Sequence, residues 1–401
     1  MKEMPDVVIF AGGKGLRIKK FTKNKQKCLI KINNKPFLQN IINKISQENV
    51  NRIFILSGVK HKEVHRLYQN KCQNFCKIKC IREEKPLGTS GALAQLKNKN
   101  ISNFFLINGD TYFDIDYKKL KNSLSRKSIG CMALIDNKTH NSNKKLINLK
   151  IKKNKTLSFA KSTKYMNGGV YYFKKDILKY IPNGYGSLEE NILPELIRKS
   201  KMNGVLFSKK LFIDIGTPKN LKSANLKLKN YLTRPAVFLD RDGVINHDVG
   251  YINNFKKLKF RSGVKKGLKY LIKKKYYLFI VTNQAGIAKN KIKLEQFNKL
   301  SKELKNEFLS EGISINETMF CPHHAFGVIK QYKKNCKYRK PGNKMILDLK
   351  KKWDIDFKLS FMIGDKKSDE LCANKTKLKF FYAKGSLFNQ IKLITKYEIR
   401  N

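Results

Sequence analysis

The stretch Val237-Phe-Leu-Asp240-Arg-Asp242-Gly243-Val-Ile-Asn246 joins a short apolar run to two carboxylates one residue apart, followed by a glycine. Such a run, bounded by polar residues and glycine, reads as a buried strand that delivers Asp240 and Asp242 at its carboxyl end. In extended chain, residues i and i+2 point the same way, so both carboxylates are expected to face one phosphoryl group. Removing a phosphate with an aspartate requires a nucleophile, an acid for the leaving alkoxide, and a cation that lets two anions approach. Asp240 and Asp242 meet the first two needs. Leu278–Thr282 and Ser360–Ile363 read as further strands, each ending in polar residues. Ligands of parallel sheets bind beyond the carboxyl ends of strands, so Asp240, Thr282, Asn283 and Asp365 are expected at one rim. Thr282 and Asn283 are expected to donate to phosphate oxygens. Lys340 is expected to supply charge for nucleophile and phosphate, and Asp365 to complete a Mg²⁺ site with Asp240 and Asp242.

Upstream, the same alternation of strands and helices occupies residues 6–225. Val7–Phe10, Arg52–Leu56, Phe104–Asn108 and Cys131–Ile135 read as strands, and Pro36–Ile45 and Gly91–Leu96 as helices. The fold class expected is α/β with two domains, each carrying a largely parallel, Rossmann-like sheet. Leu221–Tyr231 reads as a polar helix broken by Thr233-Arg-Pro235. The boundary therefore falls near residue 233, giving domains 1–232 and 233–401. The first strand runs into Gly12-Gly13-Lys14-Gly15, where glycines allow backbone N–H groups close to a phosphate and Arg17 adds a forked cation. Lys27 is a second candidate phosphate contact. Gly88 and Thr89 belong to a glycine-bearing loop that opens a helix and could pack on a base. Asp110 and Asp214 are carboxylates at strand ends that could hold Mg²⁺ against a triphosphate and a sugar phosphate.

At 401 residues and 41% apolar content the chain can bury a core in each half. The net charge of +56 is spread along the whole chain, which reads as a lysine-rich solvated surface that draws in anionic substrates. No nucleic-acid partner is expected, although a basic nucleic-acid-binding protein on a degenerate enzyme fold is the reading from another class. No apolar run reaches the ~18 residues of a membrane span, and no signal peptide is read, so a cytoplasmic protein with no membrane partner is expected. The eight cysteines are expected as reduced thiols or metal ligands.

Residues 6–226 resemble the sugar-1-phosphate nucleotidyltransferase family. The likeness rests on Ala11-Gly-Gly-Lys-Gly-Leu-Arg17, Pro86-Leu-Gly-Thr-Ser-Gly-Ala92, Ile107-Asn-Gly-Asp-Thr-Tyr-Phe113, Asn167-Gly-Gly-Val-Tyr171, Ser187-Leu-Glu189 and Phe212-Ile-Asp-Ile-Gly-Thr-Pro218. It implies in-line attack of a sugar phosphate on the α-phosphorus of an NTP, with Arg17 and Lys27 on phosphates, Asp110 and Asp214 on the metal, and Asn167 and Glu189 on the sugar. Three positions depart from the family. Leu16 stands where Thr is usual, Gln26-Lys27-Cys28 replaces Pro-Lys-Pro, and Leu157-Ser-Phe-Ala-Lys161 lacks a sugar-contacting Glu.

Residues 235–390 resemble the haloacid-dehalogenase phosphatases. Within that superfamily Phe238–Asn246, Gly250-Tyr251, Val281–Ile287, Cys321-Pro-His-His324, Arg339-Lys-Pro341 and Met362–Lys366 are similar to the D,D-heptose 1,7-bisphosphate phosphatases, with histidinol-phosphate phosphatases as near relatives. Loops rather than a large cap are implied to shape the pocket, with Arg339 among the substrate contacts. That family often carries a structural Zn²⁺. Cys321, His323 and Cys336 match three of its ligands, and Tyr338 stands at the fourth. Either a nearby group such as His324 completes the set, or the loop folds without metal.

The two resemblances imply consecutive steps. The C-terminal half removes the C7 phosphate of heptose 1,7-bisphosphate, and the N-terminal half couples heptose 1-phosphate to a nucleotide, with GTP the implied donor. The other enzymatic reading is a hexose-1-phosphate nucleotidyltransferase fused to a sugar or histidinol phosphatase.

Overall fold

The computed structural model describes residues 4–13, 18–22, 26–58, 60–136, 148–161 and 165–398. Lys14, Gly15, Leu16 and Arg17 lie outside the described residues.

The N-terminal sheet is built around strands with apolar residues on both faces. Val7 and Ile9 pack into one core with Ile53, Ile55, Phe105 and Ile107. Val8 turns to the opposite core with Phe54, Leu56, Phe104 and Leu106. This two-sided burial is what a parallel sheet covered on both faces requires. Its central order is Cys76–Arg82, Arg52–Ser57, Asp6–Phe10, Phe104–Asn108, Tyr165–Phe173. The first four are parallel. Tyr165–Phe173 runs antiparallel to Phe104–Asn108, and then pairs with Gly130–Asp136, which carries Met202–Leu206 at its far side. The strand order reverses between Asp6–Phe10 and Phe104–Asn108, and a crevice opens at such a point.

Helices begin and end a few residues from their sequence-based positions. Phe37–Ser46 was expected from Pro36, and Gly88–Ala94 starts three residues early, on the glycine loop itself. The helix expected at Leu221 begins at Pro218, because Thr217 caps it by accepting from the Asn220 N–H and Pro218 takes the first turn, where no N–H is needed. Leu221, Ala224 and Leu228 anchor it to the N-terminal core. It stops at Leu232, and strand Arg234–Leu239 follows at once.

That strand is the middle of a second sheet, fully parallel, in the order Glu317–Cys321, Tyr277–Asn283, Arg234–Leu239, Ile355–Gly364, Lys379–Tyr382. Val237 and Leu239 face one core, Ala236 and Phe238 the other. The strand order reverses between Arg234–Leu239 and Ile355–Gly364, so Asp240 and Asp365 leave adjacent strands at the same crevice. Among the described residues no helix is long and apolar enough to cross a membrane.

Candidate active sites

In the second sheet the strand ends at Leu239, and the chain then turns, with the Gly243 N–H donating to the Asn246 carbonyl at 2.7 Å. The Asp240 N–H still donates to the Ile363 carbonyl of the neighbouring strand at 3.0 Å, so the turn begins just after it. Tertiary contacts place each carboxylate. Asp240 is buried and ion-paired with Lys340 at 3.0 Å. Burial raises its pKa to about 6, against the pull of Lys340. Burial lowers the Lys340 pKa, but the charges of Asp240 and Asp369 outweigh it and hold the ammonium above its ordinary range. Lys340 also meets Asp369 at 2.6 Å and donates to the Val281 carbonyl at 2.8 Å.

Asp242 is held by a different set. The Arg241 guanidinium donates to both of its oxygens at 2.8–3.1 Å. Gln284 Nε2 donates at 2.9 Å and Asn246 Nδ2 at 3.0 Å. The carboxylate oxygens that lie within 4.8 Å of one another belong to Asp240, Asp365 and Asp369. The side-chain oxygens of Asp240 and Asp365 thus gather with Asp369, while the Asp242 carboxylate is engaged by Arg241. Asp369 was missed. Its signal was a second aspartate four residues after Asp365, at the start of helix Lys367–Asn374. Two close approaches explain the local glycines. A Cβ on Gly243, where φ is +82°, would sit 2.3 Å from Asp365 Oδ2, and one on Gly364 would sit 2.3 Å from the Asp369 Cβ.

Thr282 and Asn283 lie at the expected rim but spend their side chains on the protein. Thr282 Oγ1 accepts from Gln284. Asn283 clamps the Lys340 backbone, donating to its carbonyl and accepting from its N–H, both at 3.0 Å. Arg339 donates to the His323 carbonyl at 3.2 Å. Three acids against Lys340 leave a negative site, and Asp365 Oδ1 is buried without a hydrogen-bond partner among the described residues. That donor set of carboxylate oxygens fits Mg²⁺.

Beside this rim, Cys321, His323 and Cys336 bring three ligand atoms within 4.8 Å of one another. Tyr338 does not join them, since its hydroxyl donates to Asp348 at 2.6 Å. His324 Nδ1 accepts from the Phe326 N–H. The residues fit a soft cation through three protein ligands.

In the N-terminal half the ribbon Thr111–Phe113 pairs antiparallel with Phe212–Asp214, and the Ile215 N–H donates to the Asp110 carbonyl. This brings Asp110 and Asp214 side by side from 104 positions apart in sequence. Lys27 Nζ rests on Asp110 at 2.5 Å, and a Cβ on Gly216 would lie 2.7 Å from Asp214 Oδ1 and 3.1 Å from that same ammonium. Thr89 Oγ1 donates to Glu189 at 2.7 Å and accepts from the Leu188 N–H. Gly88, Thr89, Asn167 and Glu189 line one cleft of about 370 Å³ with Asn108 and Tyr185. Asn167 is fixed inside it by Tyr171, at 2.6 Å. Of the phosphate loop, Gly12 and Gly13 are described. Gly12 follows the first strand, and a Cβ there would fall 2.6 Å from an oxygen of Glu83, a buried carboxylate whose pKa burial raises. Glu83 was not singled out from sequence.

Residues 6–231 match the family model described as nucleotidyl transferase, and residues 245–385 match that of polynucleotide kinase 3 phosphatase. The chain belongs to the nucleotidyl transferase family. Its C-terminal part is 39% identical to the D-glycero-β-D-manno-heptose-1,7-bisphosphate 7-phosphatase of Rhodopseudomonas palustris, over 38% of this chain and 84% of that protein. It is also 39% identical to the D-glycero-α-D-manno-heptose-1,7-bisphosphate 7-phosphatase of Photorhabdus laumondii, over 33% of this chain and 72% of that protein. The chain belongs to that phosphatase family too. Among solved structures, HddC from Yersinia pseudotuberculosis is 30% identical, aligned over 56% of this chain and all of HddC with a TM-score of 0.48.

Proposed function

We propose that this nucleotidyl transferase family member activates a heptose in two steps, with catalytic units at residues 1–232 and 233–401. The observation that carries the reading is the Asp240–Lys340–Asp369 cluster, built at the strand-order reversal of a half that is 39% identical to a heptose bisphosphate phosphatase. Asp240 attacks the C7 phosphorus of heptose 1,7-bisphosphate, the ester bond breaks, and an aspartyl phosphate forms. Asp242, once it has taken up a proton in place of one of its Arg241 hydrogen bonds, gives that proton to the leaving alkoxide and then takes one from the water that hydrolyses the aspartyl phosphate. Lys340 neutralises part of the charge on nucleophile and phosphate. Mg²⁺, held by Asp240, Asp365 and Asp369, would supply charge neutralisation for the approach of anion to anion.

Heptose 1-phosphate then attacks the α-phosphorus of GTP, releasing pyrophosphate. Gly12, Gly13 and Gly15 present backbone N–H groups, and Arg17 and Lys27 bind phosphates, Lys27 turning from Asp110 to do so. Asp110 and Asp214 would hold Mg²⁺ here. Gly88 and Thr89 border the cleft, and Asn167 and Glu189 bind the sugar. Glu83 supports guanine as the base, because one carboxylate can accept from the adjacent N1–H and 2-amino donors of guanine, a pair that adenine, cytosine and uracil lack.

The deciding experiment incubates the protein with heptose 1,7-bisphosphate, Mg²⁺ and each NTP in turn. GDP-heptose is the mass expected. Product with another NTP alone overturns the base, and faster turnover of a hexose 1-phosphate overturns the sugar.

Two measurements follow from the local chemistry. Asp240 must be ionised to attack, so phosphatase kcat/KM falls as pH drops below about 6 when Mg²⁺ is scarce. Added Mg²⁺ favours the carboxylate and moves that acid limb to lower pH, and a limb that stays put with Mg²⁺ contradicts the placement. For the thiol group, metal analysis of the purified chain is expected to find one equivalent of zinc, about all of it lost in Cys336→Ser. Zinc absent from the wild-type protein would show that the loop folds without it.

A further inference from the structure

Besides Lys340, two cations are buried in the phosphatase half. Arg241 is 2% exposed and grips Asp242. Lys305 is 5% exposed and lies on helix Leu294–Ser310. Its ammonium reaches out of the phosphatase half altogether. Lys305 Nζ donates to the backbone carbonyls of Ser46 at 2.7 Å, Glu48 at 2.7 Å and Asn74 at 3.3 Å. An ammonium has three donors, and all three are used. Ser46 ends helix Phe37–Ser46, so the charge also sits at the negative end of a helix dipole. The contact is closed from both sides. Asn74 Nδ2 donates to the Ile315 carbonyl at 3.2 Å, and Asn316 Nδ2 donates to Gln47 at 2.9 Å.

Lys305, Ser301 and Phe297 recur every four residues and share the inward face of their helix. The Phe297 ring centre lies 5.7 Å from the Arg241 guanidinium carbon. Arg241 and Lys305 line one void with Ser301 and Leu304, of only about 10 Å³. That is room for one water at most, so a shift of the helix passes to Arg241 without a cushion. Arg241 Nη1 is buried with no hydrogen-bond partner among the described residues, which leaves packing against this helix to fix that side of the guanidinium.

We propose that Lys305 is a positioning residue for the phosphatase: by fastening helix Leu294–Ser310 to the N-terminal half, it fixes Arg241 and hence the Asp242 carboxylate for proton transfer. The proposal rests on the phosphatase reading above. It makes the nucleotidyl-transfer half a structural part of the phosphatase site.

The test uses the full chain and two esters. The alkoxide leaving from heptose bisphosphate needs the Asp242 proton, whereas p-nitrophenolate leaves without one. In Lys305→Met, single-turnover cleavage of the sugar ester is expected to fall about tenfold. The first-turnover release of p-nitrophenolate is expected to match wild type. Asn74→Ala loosens the same contact from the other half and should reproduce the pattern, which covers a Lys305→Met chain that fails to fold. Unchanged sugar-ester cleavage overturns the proposal, as does an equal loss on both esters, which marks damage to the Asp240 site. A wild-type chain that cleaves neither ester refutes the phosphatase reading itself.

Discussion

Asp240→Asn is expected to lower phosphate release from heptose 1,7-bisphosphate by about 10⁴-fold or more, because a neutral amide cannot form the phosphoryl intermediate. The amide has the shape of the carboxylate and keeps an acceptor for Lys340, which stays paired with Asp369 at 2.6 Å. Burial already disfavours the charged form of Asp240, so replacing it with a neutral isostere costs the fold little. Pyrophosphate release from GTP and heptose 1-phosphate should stay within about twofold of wild type, since Asp240 shares no partner with the other site. Loss of both activities in this variant would sink the two-site reading.

The reverse pattern is expected for Asp110→Ala. It removes a proposed metal-binding carboxylate and leaves Lys27, now 2.5 Å from Asp110 Oδ2, without that anchor. Nucleotidyl transfer should fall about 10³-fold, the scale of losing charge stabilisation at a transferring phosphoryl group. Phosphatase turnover should remain. The pair is read by assaying pyrophosphate and inorganic phosphate separately on both variants. A phosphatase loss in Asp110→Ala, with the fold intact by thermal melt, would show that the two chemistries share one site.

The strands were legible because their signal is local. Val7–Ile9 and Val237–Leu239 are apolar on consecutive residues, and only a sheet covered on both faces can bury them that way. Helix starts were less legible. The cap at Thr217 competes with the apolar spacing that begins at Leu221, and hydrogen bonding at the cap wins. Within the sites, Asp240, Lys340, Asp365, Asp110 and Asp214 could be singled out, since each follows a strand or sits in a glycine-bearing motif. Gln284 and Glu83 could not, because nothing in their neighbours' sequence distinguishes a buried, paired amide or acid from a loop residue, and Asp369 is marked only by its spacing from Asp365. The strand-end position of Asn283 points to phosphate, yet its amide is committed to the Lys340 backbone 57 residues away.

By itself the sequence determined that two α/β sheets form, that each ends its central strands in carboxylates or glycines, and that phosphate chemistry is the common theme. These follow from periodicity and from residue types that keep their meaning in any surroundings. Only the tertiary structure decided which carboxylate meets which cation. The oxygens of Asp240, Asp365 and Asp369 converge, Arg241 takes Asp242 out of that group, and Lys305 reaches across to Ser46, Glu48 and Asn74. Ion pairing falls off within a few ångströms and strengthens with burial, and both distance and burial are set by packing between segments far apart in the chain.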